Sequence, residues 1–298
     1  MEMKKMKRLR IITITTLCCT FLAICSCSTQ KKSAASVKRP SPEKLQAILD
    51  SICIEGYNLY LAERANWMAS DTAMIRLGID NVGGSARWQT SDNVWHITFI
   101  DTTQQYCLLE TELDPKSEKL TCKYEPRPIS QAEKDIVKLH ERMFQNAVMK
   151  YGDSLQIANP EFGNPNFDFV RIDDQTIRMY MLQGTNKQNI IPFGLDYSFD
   201  FDYNGNIKAF RRYHQSLIPI QTVSDEGSKA TTAIHSHLKN NPYITPTDIC
   251  NFLLYRIPEM QQMYIYSTAL DGYIIYDANS NNAIFLSSEA MKRISSND

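Results

Sequence analysis

The chain has 298 residues, with 32 Lys/Arg against 33 Asp/Glu and a hydrophobic share of 43%. That is apolar matter enough for one large or two small packed domains. The near-neutral balance, with no basic stripe beyond the first 40 residues, argues against nucleic acid as a partner. Eight cysteines without a CxxC pair exclude a zinc ribbon.

Residues 1–26 read as a processing signal. A basic leader, "MEMKKMKRLR", precedes the apolar run "IITITTLCCTFLAIC", which is shorter than the roughly 20 apolar residues a permanent membrane helix needs. The run ends in "ICSCSTQ", where Ser26 stands before Cys27 and Ile24 holds the aliphatic position. This resembles the lipobox of bacterial lipoproteins, which implies lipidation of Cys27, export, and attachment to an envelope membrane by the lipid, facing the periplasm. Residues 27–40 then form a small, polar, basic tether with nothing to bury. Residues 1–26 hold five Lys/Arg and one acid, so their removal leaves 27 basic and 32 acidic residues, net −5.

From residue 41 the elements follow in order. Ser41 and Pro42 open a helix with an apolar stripe through Leu45, Ile48, Leu49, Ile52, Leu59 and Tyr60, and with Gly56 as a weak point. Two strand pairs up to residue 128 predict a small antiparallel sheet with turns at Gly83-Gly84 and Asp114-Pro115. Cys107 and Cys122 flank the second turn; a bridge between them and buried free thiols are both open. Ser130 and Glu133 form a capping box for a helix that ends at Gly152. Strands then alternate with short turns, Asn204-Gly205 among them. A helix lies at "TPTDICNFLLYR", strands follow at "MYIYSTA", "GYIIYD" and "NAIFLSS", and a last short helix is expected at "SSEAMKRI". The pattern predicts an α+β fold of mostly antiparallel sheets with inserted helices, residues 41–128 as an N-terminal region and 129–298 as a second.

The segment "TTAIHSHL" puts His235 and His237 on one strand face, because side chains repeat every second residue. Asp248 falls in the first turn of the next helix, where its carboxylate points back toward the strand end. Two imidazoles and a carboxylate are a natural start for a tetrahedral zinc site. The plain alternative is two histidines satisfied by backbone partners beside a carboxylate that favours a helix start. The spacing (His, one residue, His, seven residues, Thr, two residues, Asp) resembles the JAMM motif of MPN/JAB-domain metalloproteases, with Thr245 where serine is usual. The resemblance covers about residues 130–298. It implies zinc on His235, His237 and Asp248 with water in the fourth position, and Thr245 helping to hold the oxyanion of amide hydrolysis.

The family's glutamate base has no counterpart, since no glutamate occurs from residue 162 to 223. Asp196 and Glu226 are the carboxylates nominated in its place. Other histidines read plainly: His96 as a sheet residue and His140 among solvated charges of its helix; His214 could approach a site, but Arg211 and Arg212 beside it suggest a rim or an anion contact. Cys250 reads as core, and "SFDFDYNGN" as a hairpin turn rather than a calcium loop. Two functions follow from the resemblance: an envelope zinc hydrolase cleaving a peptide, isopeptide or related amide, or a non-catalytic lipoprotein that keeps a JAB-like frame to bind a protein or envelope ligand.

Overall fold

The computed structural model describes residues 39–158 and 161–296, so the lipobox and Cys27 lie outside the described residues. Its first element is α1 (Pro42–Leu77), capped by the Ser41 hydroxyl accepting from the Lys44 amide at 3.3 Å. The helix runs 36 residues, well past the predicted stripe, because Ala62, Ala65, Ala69 and Ala73 extend its buried face. It stops at Gly78, whose φ of 76° lies in the left-handed region.

The first sheet joins β1 (Val82–Gln89), β2 (Trp95–Asp101), β3 (Tyr106–Leu113) and β4 (Leu120–Lys123) in antiparallel order, with the short β5 (Arg127–Pro128) also on β3. Gly83-Gly84 is not a turn. It lies within β1 at a bulge, where a Cβ on Gly83 would stand 2.5 Å from the Asp101 carbonyl oxygen. Cys107 and Cys122 face Arg127 and Thr111 across their pairings, so they are not neighbours, and both are free thiols.

After α2 (Gln131–Tyr151), with its capping box as expected, a second antiparallel sheet runs β10-β9-β7-β6. Its strands are β6 (Pro165–Asp173), β7 (Thr176–Gln183), β9 (Tyr197–Phe201) and β10 (Ile207–Arg212). β8 (Ile190–Gly194) pairs only with β11 (Leu217–Gln221). Between β9 and β10, Asp202 accepts from the Asn204 and Asn206 amides, which makes this segment the expected hairpin turn.

The last sheet is β12 (Thr232–His237), β13 (Gln262–Ser267), β14 (Gly272–Asp277) and β15 (Asn282–Ser287), followed by α4 (Ser288–Ser295). Among the described strands only β12 and β13 run parallel, and α3 (Pro246–Tyr255) is the crossover between them. The molecule is α+β, with mostly antiparallel sheets.

The two sequence regions share their cores. Leu45, Leu49 and Cys53 of α1 pack with Ile249 and Phe252 of α3 and with Met263 and Ile265 of β13. Further along α1, Leu59 to Ala73 pack with Trp95, Ile97 and Leu109 of the first sheet, and with Val170, Tyr180 and Cys250. Residues Pro246 to Phe252 of α3 are therefore buried on every side. Each of Ile249 and Phe252 contributes roughly 1.5–3 kcal/mol by leaving water. Burial on this scale fixes the start of α3, and with it Asp248. Among the described residues no helix is long and apolar enough to cross a membrane.

Candidate functional site: a buried His-His-His-Asp group

β12 alternates exposed and buried residues, and His235 and His237 are on the buried side with Ala233. Asp248 is the third residue of α3 and completes a capping box with Thr245. Its Oδ2 accepts from the Thr245 amide at 2.9 Å and from the Thr245 hydroxyl at 2.7 Å. Its Oδ1 is left facing the histidines, 3.1 Å from His235 Nε2. One carboxylate thus caps the helix through Oδ2 and meets the histidines through both oxygens, Oδ1 toward His235 and His214 and Oδ2 toward His237.

A third histidine completes the group. His214 follows β10 and is 5% exposed, so it is no rim residue. Its Nε2 lies 2.9 Å from His237 Nε2 and 3.4 Å from Asp248 Oδ1. His237 Nε2 is 3.2 Å from His235 Nε2 and 3.3 Å from Asp248 Oδ2. One ligand atom from each of the four residues lies within 4.8 Å of every other, and all four residues are buried, so the group could hold a metal ion.

Two features fit these residues to a cation. The first is spacing: donors about 2.0–2.1 Å from one ion at tetrahedral corners stand roughly 3.3 Å apart, the scale of the five separations above. The second is the tautomers. His214 Nδ1 lies 2.8 and 3.0 Å from the two oxygens of Asp196, and His237 Nδ1 lies 2.6 Å from the Tyr243 carbonyl oxygen. Both acceptors require a proton on Nδ1, so each neutral ring presents a bare Nε2 lone pair to the other. Two lone pairs at 2.9 Å repel unless a proton or a metal ion stands between them.

Without metal, a proton fills that role. Burial opposes charge on His214, yet Asp196 and then Asp248 raise its pKa to about 9. His235 is pushed down by burial, with His237 and His214 adding to the effect against the pull of Asp248. Burial also opposes the Asp248 charge, but His214, His237 and His235 together hold its carboxyl well below the usual range. His235 Nδ1 is buried without a partner.

The residues nominated as catalytic go elsewhere. Thr245 spends its hydroxyl on Asp248 and on Thr247, 2.8 Å away, rather than offering it to a substrate oxygen. Asp196 is not placed as a base for a metal-bound water. It stands behind His214, accepting from that ring, from the His214 amide at 3.2 Å and from the Thr247 hydroxyl. Glu226 is exposed in the turn after β11 and is no part of the group. His214 was missed because neighbouring arginines marked it as surface. A signal was there, since three of five histidines fall within a span of 23 residues.

The other singled-out residues settle simply. His96 stacks on Trp88 in the first sheet. His140 does not sit among solvated charges; it stacks on Phe169 at 3.9 Å, and burial, with Arg87 nearby, pushes its pKa down to about 3. Cys250 is core, its thiol pushed well up by burial.

A cavity of about 200 Å³ adjoins the group, bounded by His214 and His237 with Ser236, Leu238 and Asn241. No protein-family model matches the chain, and no curated protein or solved structure matches it either.

Proposed function

We propose that the protein is an exported, lipid-anchored envelope protein whose C-terminal half binds one zinc ion through His214, His235, His237 and Asp248. In this reading the ion clamps the fold rather than activating water. The observation that carries it is the fourth corner. A catalytic zinc keeps one position open for water or substrate, whereas a structural zinc is closed by four protein ligands. The likeness to the JAMM motif supplies three ligands and expects water as the fourth; here His214 stands in that place, fixed from behind by Asp196. Bound there, zinc would tie β12, the start of α3 and the segment after β10. Its binding energy, on the order of 10 kcal/mol for structural sites, would then be folding energy.

The second reading, a JAB-like metallopeptidase, is supported by the cavity beside His214 and His237 and by the spacing of the histidines and aspartate. It requires His214 to leave the fourth corner. Elemental analysis of the purified mature protein tests the first reading. One equivalent of zinc, with a chelator lowering the melting temperature, supports it. Protein that is metal-free and refuses added zinc sinks both.

A further inference from the structure

The other end of α3 borders a second pocket, of about 330 Å³, built in a different style. Tyr255 closes the helix, seven residues and so roughly 10 Å along the axis from Asp248. Its ring meets Trp67 of α1 edge to face, with centroids 5.3 Å apart. The rest of the lining is largely amide: Asn164, Asn166 and Asn186, with Thr185, Gly163 and Gly184. Among the described residues no charged side chain lines it.

The floor is rigid. Buried Gln183 donates to the carbonyl oxygens of Gly163 and Gly184, each at 2.9 Å, and its own oxygen accepts from the Ala158 amide at 3.2 Å. The two glycine segments touch so closely that a Cβ on Gly184 would stand 2.7 Å from the Asn164 carbonyl oxygen. Asn166 is held by donating to the buried carboxyl of Glu63 at 3.2 Å. The side chains of Asn164 and Asn186, by contrast, are exposed at the mouth and make no hydrogen bond among the described residues.

We propose that this pocket binds a neutral saccharide of one or two rings. Amides both donate and accept, which suits vicinal hydroxyls, and no fixed charge is present to select an ion. The C–H face of a sugar ring packs on aromatic carbon, and Trp and Tyr pair an apolar body with a polar tip. The volume admits a ligand of that size and little more. The saccharide is either free or the end of a longer glycan, and the shared chemistry is the neutral terminal ring.

The test is calorimetric titration of the metal-loaded protein with a panel of neutral mono- and disaccharides, with glucuronic acid as the charged control and a neutral polysaccharide for the glycan source. We expect saturable binding of at least one neutral sugar, none of the acid, and at least about a tenfold loss in the Asn164→Ala/Asn186→Ala double variant. These two residues are exposed, so the variant folds; Trp67→Ala is expected to abolish binding as a second check. Binding of the polysaccharide alone assigns the glycan source, and binding of small sugars alone assigns the free one. No binding by any panel member up to about 10 mM, or binding that the double variant leaves unchanged, overturns the proposal.

Discussion

Asp196 grips His214 by both carboxylate oxygens, 2.8 and 3.0 Å from Nδ1. That grip fixes the ring's orientation and aims Nε2 at His237 and Asp248. In Asp196→Asn the amide nitrogen competes for Nδ1, which moves the neutral ring's proton to Nε2, the atom proposed to bind zinc. Zinc affinity is expected to fall about 10- to 100-fold while the far-ultraviolet dichroism spectrum is kept. Competition with a zinc chelator of known affinity measures it, and an unchanged affinity would mean that Asp196 does not set the site.

Metal binding must also displace the proton on His214. With that pKa at about 9, apparent zinc affinity should rise by about one decade per pH unit below that value and level off above it. A titration series from pH 6 to 10 reads the slope, and Asp196→Asn should move the break downward, because Asp196 is the larger source of the raised pKa.

The metal-free protein should show the same group in its stability. A raised histidine contributes stability that is whole below its unfolded value, near 6.5, and is lost as pH climbs through about 9. His235 and His140 are lowered, so their contributions are present above 6.5 and fade as pH drops. Asp248, also lowered, adds a loss at stronger acid, below its ordinary 3.8. Denaturant melts of metal-free protein should therefore show the highest stability near pH 6.5 and lower values on both sides. In zinc-loaded protein the alkaline loss should vanish. A flat profile between pH 6.5 and 9 without metal would contradict the raised His214.

Local signals carried most of this far. The alternation around His235 and His237 placed both rings on one face, and Thr245 with Asp248 read correctly as a helix start, because each depends on residues only a few positions apart. His214 depends on something else. It reaches His237 because the segment after β10 lies against the end of β12 and the loop that follows, where Asn241 donates to the Tyr213 carbonyl, and no short window contains that approach. Gly83-Gly84 misled for a related reason: a strand bulge against Asp101 and a turn ask for the same residue. The full length of α1 was hidden by its alanines, which are weak as an apolar stripe yet buried against the first sheet.

Cys27 lies outside the described residues, and the proposal that it carries the lipid anchor rests on the leader sequence alone. Membrane fractions should carry the intact protein, and Cys27→Ala should leave it as unprocessed precursor or release it from lipid attachment. Labelling with a fatty acid followed by fractionation reads both. A Cys27→Ala protein that is still labelled would move the anchor elsewhere.

Gly56 is where the first helix packs close against Ile249 of α3, the residue after Asp248. A Cβ there would stand 2.7 Å from the Ile249 Cβ, next to Asp248 in sequence. In an isolated helix Gly→Ala helps by up to about 1 kcal/mol. Here the added carbon pushes α1 from α3, and Gly56→Ala is expected to cost about 1–3 kcal/mol of stability instead. Since the colliding atom is the Ile249 Cβ itself, shortening that residue to Ala leaves the collision in place, and Gly56→Ala/Ile249→Ala should be less stable than either single variant. Zinc affinity should fall in Gly56→Ala too, because displacing the start of α3 moves Asp248 away from three histidines that other elements hold. Denaturant melts with chelator competition measure both effects. A destabilised variant with undiminished zinc affinity would show that the group follows Asp248 by local repacking, not by the placement of α3.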